Sequence, residues 1–271
     1  TGIQEVTTIV DRLGKGVTNA IGTGGRDLST EVGAITMLDS IKALNQDPKV
    51  KVITVISKPP AKEVQEKVEN LLRSIDKPVV ALFLGAKPEY QEEAIYHAYT
   101  LEEAAVASVQ LSNGEEVNFT PSSIEGIKAD FDENQKGIKA YYSGGTLASE
   151  AAMMIKHSLG EEEIKDEGFT YKSASHEVID LGDDMYTQGK PHPMIDPEKR
   201  IEALETSADS EETAVIMLDN VIGYGSHADM ASELAPTIKR ITDKAASEER
   251  SLVVLATVVG TDKDAQGYDK Q

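Results

Sequence analysis

The chain has 271 residues, no cysteine, and 27 basic against 47 acidic side chains, which gives a formal net charge of -20 at pH 7. Without cysteine, disulfides, thiolate catalysis and thiolate metal sites are excluded. The negative charge argues against nucleic acid and anionic membranes as partners. No apolar run approaches the roughly 20 residues that span a bilayer. We therefore expect a cytoplasmic protein that binds a small ligand.

The same series of motifs occurs twice along the chain and in the same order. The pairs are residues 1–6 with 144–150, 20–27 with 179–184, 52–56 with 215–218, and 79–82 with 253–256. A repeat of this length indicates a duplicated domain rather than a solenoid unit. The duplication predicts two similar lobes with a ligand site built between them.

The first copy alternates amphipathic helices with short apolar strands. The predicted elements are a helix over 4–12, a strand over 17–21, a helix from Ser29 or Thr30 to about Asn45, a strand over 51–56, a helix over 61–74, a strand over 79–84, and shorter helices ending near Ala107. The polar stretch that follows predicts an inter-lobe connection, with a small hairpin around Asn113 and Gly114.

The second copy repeats the alternation. The predicted elements are a strand over 138–142, helix 146–157, strand 177–181, a helix from Asp196 with Pro197 at its first position, strand 214–218, helix 230–244 and strand 252–259. This alternation is typical of parallel α/β sheets. We predict an α/β fold with residues 1–107 as the first lobe, 108–136 as the connection and 137–271 as the second. Neither copy shows every expected element, so both lobes are predicted to be truncated.

Glycine-rich segments fall where strands are predicted to lead into helices. In a parallel sheet this is the carboxyl edge, where ligands bind. Helix starts there offer free N–H groups that suit phosphate or carboxylate. The predicted anion-binding residues are Thr1, Gly2, Gly24, Gly25, Arg26, Gly144, Gly145, Thr146, Gly223, Tyr224 and Gly225. Arg26 is the only cation inside the glycine-rich loops of the first lobe. The alternative is that each loop is simply a tight turn.

A second polar group surrounds His192. It consists of Asp180, Asp183, Asp184, His192 and Asp196. These side chains could ligate a divalent metal, but turn formation and helix capping explain the aspartates equally well. We therefore predict no metal site. His192 lies between two prolines in an extended loop, which suits substrate positioning or chain reversal, and it is a candidate catalytic residue.

Six segments resemble one known family. They are residues 1–6, 20–28, 142–147, 179–184, 191–196 and 223–225. Together they resemble the FdrA family of acyl-CoA synthetase-like proteins, relatives of the succinyl-CoA synthetase alpha and beta subunits. The resemblance implies two flavodoxin-like CoA-ligase lobes, alpha-type and then beta-type. It also implies that CoA binds only through an N-terminal domain missing from this chain, and the cofactor is otherwise unknown.

The resemblance also supplies functional expectations. The synthetases carry a phosphorylated histidine in a glycine-flanked loop, and His97 lies in that region without the flanking glycines. His97 is therefore a second candidate catalytic residue. The family implies an enzyme or enzyme subunit that handles an acyl or carbamoyl phosphate at helix N-termini between the lobes. The alternatives are an oxamate carbamoyltransferase subunit of allantoin (purine) degradation and a non-catalytic anion-binding scaffold, with partner subunits or a homo-oligomer in each case.

Overall fold

The computed structural model describes residues 1–85, 87–89, 91–123 and 128–271. The chain divides into two compact units. One is formed by Gly2–Ser122 and the other by Thr1 with Ser123–Gln271. We call them the N-terminal and C-terminal units. In these ranges no helix has the length and apolar character needed to cross a membrane. Residues 124–127 of the predicted connection lie outside the described residues.

The N-terminal unit is built on a three-stranded parallel sheet. Its elements are α1 (Gly2–Arg12), a 3-10 turn (Gly25–Leu28), α2 (Ile35–Gln46), β1 (Ile53–Ser57), α3 (Lys62–Leu72), β2 (Val79–Phe83), β3 (Ile95–His97) and α4 (Leu101–Ser112). The strand order is β1-β2-β3, and Ile53 is in register with Val79, which is in register with Ile95. Each strand is joined to the next by a crossover, as parallel pairing requires.

Helices cover both faces of this sheet. On one face α2 and α3 pack against β1 and β2 through a core that includes Ile41, Val68 and Leu72. On the other face α1 and α4 pack together and against the strands. The strand residues are buried on both sides, which explains why β2 is continuously apolar in sequence.

Four predictions for the N-terminal unit are wrong. Ile95–His97 form strand β3, where only shorter helices were predicted. Residues 17–21 form no strand, because the described strands pair only with one another and Val17 and Ile21 stay nearly half exposed. The helix expected at Ser29 or Thr30 begins at Ile35, after Ala34 adopts a left-handed backbone with φ 60°. Instead of a hairpin near Asn113, α4 ends there and extends past the predicted limit of the first lobe.

The C-terminal unit contains a five-stranded sheet. Its elements are β4 (Gly137–Tyr142), α5 (Gly145–Leu159), β5 (Tyr171–Lys172), β6 (Glu177–Asp180), α6 (Asp184–Thr187), α7 (Glu198–Ala208), β7 (Thr213–Val221), α8 (Met230–Ser247) and β8 (Val253–Val259). The strand order is β5-β6-β4-β7-β8, and only the short β5 is antiparallel. The four parallel strands thus follow the order 2-1-3-4 of flavodoxin-like folds.

The predicted elements of the second copy agree with the structure within a few residues, apart from β5 and α6, which the sequence did not indicate. A core on one face of the sheet joins α7 and α8 to β4 and β7 through residues such as Tyr141, Leu204, Ile216 and Leu234. Helix α5 contacts β4 and β6. The predicted α/β class with parallel-sheet, flavodoxin-like lobes is confirmed.

Candidate functional site

The carboxyl edge of β4 and β7 is the topological switch point of the C-terminal unit. The crossover from β4 leads to β6 on one side, and the next crossover returns to β7 on the other. Two loops therefore diverge between these neighbouring strands, and open α/β sheets bind ligands in the crevice so formed. The β4–α5 turn and the β7–α8 loop both start at this edge.

The β4–α5 turn delivers the start of a 15-residue helix to that edge. Gly144 is the N-cap, and within the described residues it provides no side-chain cap. The first-turn N–H groups of Gly145 and Thr146 cannot bond within the helix. Together with the helix dipole they form a donor site for an anion. Gly145 and Thr146 therefore lie in the first turn of a helix, and their anion-binding role stays a prediction.

Gly144 plays a different part from the one predicted. Its backbone N–H donates to Asp219 Oδ2 at 2.9 Å, and Ser143 donates to Asp219 Oδ1 through both its N–H (2.8 Å) and its hydroxyl (2.9 Å). The N–H of Gly144 is thus already bonded to a carboxylate of the chain. Asp219 lies in β7 and is fully buried. It fastens the end of β4 to the neighbouring strand immediately before α5 begins.

Arg200 of α7 neutralises this carboxylate. Its Nη2 lies 3.2 Å from Asp219 Oδ1 and also donates to the backbone carbonyl of Asp219. The Arg200 side chain is 2% exposed, so the pair lies out of contact with water. Burial lowers the pKa of Arg200 and the adjacent Asp219 opposes that shift. An arginine in a protein nevertheless stays charged, and the pair therefore carries no net charge.

His192 lies beside the same turn. A Cβ added to Gly182 would stand 2.7 Å from His192 Nε2 and 2.6 Å from the carbonyl oxygen of Ser143. Gly182 therefore permits the close approach of the β6–α7 loop to the end of β4. His192 Nδ1 accepts a hydrogen bond from the Met194 N–H at 3.2 Å. Because a backbone N–H can only donate, the neutral ring carries its proton on Nε2.

His227 in the β7–α8 loop is arranged in the same way. Its Nδ1 accepts from the Asp229 N–H at 3.0 Å, and its own N–H donates to the Met194 carbonyl at 2.8 Å. The loops that hold His192 and His227 are therefore joined through Met194. Both neutral rings present an Nε2–H donor. They are suited to hydrogen-bonding an anion and unsuited, in this tautomer, to nucleophilic attack through Nε2.

Gly223, Tyr224 and Gly225 do not open a helix. They follow β7 in a loop with Tyr224 completely exposed, and Gln266 bonds both the N–H and the carbonyl of Gly223. The start of α8 lies further on and is capped by Asp229. The anion-binding role of these three residues stays a prediction, and they do not lie at the start of a helix.

The aspartates around His192 serve local backbone structure. Asp180 accepts from the Gly182 N–H, Asp183 from the Met185 N–H at the start of α6, and Asp196 from the Glu198 N–H at the start of α7. These contacts agree with turn formation and capping. They are the arrangement that the sequence offered as the alternative to a metal site.

In the N-terminal unit a carboxylate of the chain already occupies the helix start. Asp27 Oδ1 and Oδ2 accept from the N–H groups of Thr36 and Met37 at 3.0 and 2.9 Å. Gly24 and Gly25 lead only into the four-residue 3-10 turn. Arg26 is exposed on that turn. Because α2 begins ten residues after Gly25, these predicted anion ligands are separated from its N–H groups along the chain.

His97 is a buried member of β3. Its Nε2 lies 3.0 Å from Glu92 Oε1, and its backbone N–H donates to the Gln91 side chain at 2.7 Å. Glu92 is held in turn by Arg73, with Nε at 2.8 Å. Hydrogen bonding from Arg73 keeps the pKa of Glu92 low. His97 thus lies in a strand rather than in the glycine-flanked loop of a phosphohistidine. Of the other two predicted residues, Gly2 begins α1. Thr1 belongs to the C-terminal unit and lies against Gly144, where an added Cβ would stand within 2.7 Å of Thr1 side-chain atoms.

Sequence reasoning missed Arg200 and Asp219. Asp219 lies in an apolar strand segment, and a charged residue inside such a segment was the available signal. Arg200 looks like one of several charges on α7, and nothing in its spacing sets it apart. Only the fold brings the two side chains to the β4–α5 turn.

A flavodoxin-order sheet with a glycine-opened helix at its switch point is a ligand-binding architecture that many classes of protein share, and the family comparisons indicate the class that this chain resembles. Residues 141–271 match the CoA-ligase family model, and residues 1–85 match the CoA binding domain model. The second match corrects the expectation that the CoA-binding domain lies outside this chain. Whether residues 1–107 form an alpha-type ligase lobe stays a prediction.

Among curated proteins the chain is 41% identical, over 285 aligned positions, to "Uncharacterized protein YahF" of Escherichia coli (strain K12). The alignment covers 100% of this chain and 55% of that protein, so the chain spans about half the length of its relative. The family matches and this relative support a succinyl-CoA synthetase-like, CoA-ligase-related protein.

Solved structures give weaker likenesses. The chain is similar to the dinucleotide-forming acetyl-coenzyme A synthetase 1 of Ca. Korarchaeum cryptofilum in complex with phosphate and ADP, at 11% identity and a TM-score of 0.34, covering 84% of this chain and 49% of that one. It also shows 11% identity and a TM-score of 0.22 to the C-terminus of E. coli RcsC, covering 93% and 82%.

Proposed function

We propose that this protein is an FdrA-like enzyme, or enzyme subunit, related to succinyl-CoA ligase, that holds an acyl phosphate at the first turn of α5. The observation that carries the proposal is the uncapped start of α5 at the switch point, within the segment that matches the CoA-ligase family. Acyl phosphates present the compact negative charge that such a helix start binds. CoA would be the acyl acceptor.

The chemistry available at this edge is binding and proton donation. The N–H groups of Gly145 and Thr146 would hold the phosphoryl oxygens. The Nε2–H groups of His192 and His227 are side-chain donors on the loops described above. Stabilising charge on a transferring phosphoryl group is the main contribution a protein makes to such a reaction. The family matches favour acyl over carbamoyl phosphate, since they give no support to a carbamoyltransferase.

A binding subunit without its own phosphohistidine is the second candidate. It is favoured by the surroundings of His97, which is buried in β3 with its Nε2 beside Glu92. In that case a partner subunit would supply the phosphorylated group, and this chain would hold the anion during transfer.

Replacing Gly145 by proline tests the site by removing one backbone N–H. Proline removes the N–H at the first helical position and is tolerated there, and Gly144 already has the extended backbone that precedes a proline, with φ -111° and ψ 107°. We expect G145P to weaken binding of acetyl phosphate about tenfold, the value of one charge-assisted hydrogen bond. Lys62 begins α3 after an extended N-cap, so K62P is the matched control.

A direct assay separates the two candidates. The protein is incubated with ADP, phosphate and a panel of acyl-CoA esters, and ATP formation and thioester loss are followed. Turnover that falls in G145P supports the enzyme. Acetyl phosphate binding without turnover supports the binding subunit. If neither ligand binding nor turnover is detected, the α5 site is not functional and the proposal fails.

A further inference from the structure

The Arg200–Asp219 pair is placed where it can control the start of α5. The two Asp219 oxygens take three hydrogen bonds from Ser143 and Gly144, the last residues before the helix. The two oxygens of the Asp219 carboxylate hold the backbone N–H groups of Ser143 and Gly144 in fixed positions. The direction of the following N–H groups, those of Gly145 and Thr146, is thereby set by a side chain of the neighbouring strand.

A contribution to stability does not explain why Arg200 and Asp219 are buried as an ion pair. Both side chains are taken out of water, at 2% and 0% exposure, and the desolvation cost of such a pair commonly equals or exceeds its attraction. Within the described part of the chain, Arg200 Nε is a buried donor without a hydrogen-bond partner. Buried unsatisfied donors are rare in proteins and call for a reason.

The electrostatics of the helix start give a reason for burying the Arg200–Asp219 pair. An ionised carboxylate bonded to Gly144 would repel a second anion held one residue further on, and burial would make the repulsion strong. Arg200 cancels this charge, and both carboxylate oxygens still accept hydrogen bonds from the turn. Asp219 can therefore lock the turn without closing it to a phosphoryl group.

We propose that Arg200 and Asp219 are positioning residues of the anion site: Asp219 locks the Ser143–Gly144 turn, and Arg200 neutralises Asp219 so that the first turn of α5 accepts a phosphoryl anion. This inference rests on the proposed function for its ligand. It concerns residues on β7 and α7 that need not touch that ligand.

The test combines phosphate titration with amide NMR of the whole chain. In D219N the asparagine oxygen can accept from only one of the two turn N–H groups, so the Ser143 and Gly144 amide resonances should move upfield without any ligand. Affinity for phosphate and acetyl phosphate should fall about tenfold in R200M, which leaves the Asp219 charge uncompensated. It should fall similarly in R200M/D219N, which alters the bonds to the turn without leaving a net charge. R200K keeps the charge and should restore binding. D209N removes an exposed carboxylate paired with Lys244 and is the control.

The outcomes distinguish this inference from the proposed function. Unchanged Ser143 and Gly144 resonances in D219N, or unchanged phosphate affinity in R200M, would overturn the positioning role. If R200M fails to fold, R200M/D219N removes the uncompensated charge, and wild-type affinity in that variant would overturn the role equally. A wild-type protein that binds no phosphate refutes the proposed function and the anion part of this inference. The shift of the turn resonances still decides whether Asp219 locks the turn.

Discussion

Arg200 and Asp219 form an ion pair inside the C-terminal unit, with Arg200 Nη2 3.2 Å from Asp219 Oδ1 and neither side chain in contact with bulk water. Asp219 joins β7 to the turn after β4, and Arg200 joins α7 to β7. One pair therefore ties two strands and a helix together at the edge where the candidate site lies. Its removal has consequences for stability as well as for binding.

We predict that R200M lowers the free energy of unfolding by about 3–5 kcal/mol, because it leaves a buried carboxylate unpaired. R200M/D219N should lose less than R200M alone, since the orphaned charge is gone. Urea denaturation of the wild type, both single variants and the double variant gives the coupling energy of the pair. Additive effects of the two substitutions would show that the side chains do not interact.

His176 should make stability depend on pH. Its Nδ1 accepts from the Ile138 N–H at 3.2 Å, and burial lowers its pKa, opposed by Glu161 and assisted by Lys139. The folded state thus binds the proton less readily than the unfolded chain. Stability should be complete above the unfolded pKa of about 6.5 and decline as the pH falls below it.

The check is the midpoint of thermal unfolding between pH 8 and pH 5 for wild type and H176N. Asparagine can still accept from the Ile138 N–H but does not titrate, so the fall at low pH should be smaller in H176N. His157 is exposed near the end of α5, and H157N is the control. An identical pH profile for H176N and wild type would contradict the prediction.

We predict that any side chain at position 182 lowers the stability of the protein. A Cβ there would lie 2.6 Å from the Ser143 carbonyl oxygen, a backbone atom that cannot turn away, and 2.7 Å from His192 Nε2. We expect G182A to destabilise the protein by about 1–3 kcal/mol, as overpacking does, and to shift the His192 ring resonances. Gly16 has open space around it and an ordinary φ, so G16A is the matched control. Equal stability of G182A and G16A would refute this account.

We predict that His97 has a structural role and is not the phosphorylated residue. It is buried, and its Nε2 lies beside Glu92, which Arg73 holds through a hydrogen bond at 2.8 Å. H97N should lower stability by about 1–3 kcal/mol through the broken buried hydrogen bond and leave acetyl phosphate binding unchanged. Chemical denaturation and ligand titration measure the two effects. Loss of phosphate labelling in H97N would instead identify His97 as the phosphorylated residue.

The alternation of apolar strands and amphipathic helices predicted most of the fold. The sequence predicted the bounds of β4, α5, β7 and α8 within a few residues, because hydrophobic periodicity is most reliable in long segments. The prediction failed at residues 17–21 and at the start of α2. An apolar run becomes a strand only if another strand pairs with it, and a side chain as distant as Asp27 can decide where a helix begins.

The amino-acid sequence by itself determined the fold class and the glycine that opens α5, since these depend on local composition and periodicity. The tertiary structure alone decided which helix start has its N–H groups bonded to a carboxylate of the chain. Asp27 folds back onto α2 and fills its N–H groups, whereas Asp219 stops one residue short of α5 and is neutralised by Arg200. Contacts between residues 19 and 76 positions apart decide the difference, and no local pattern records them.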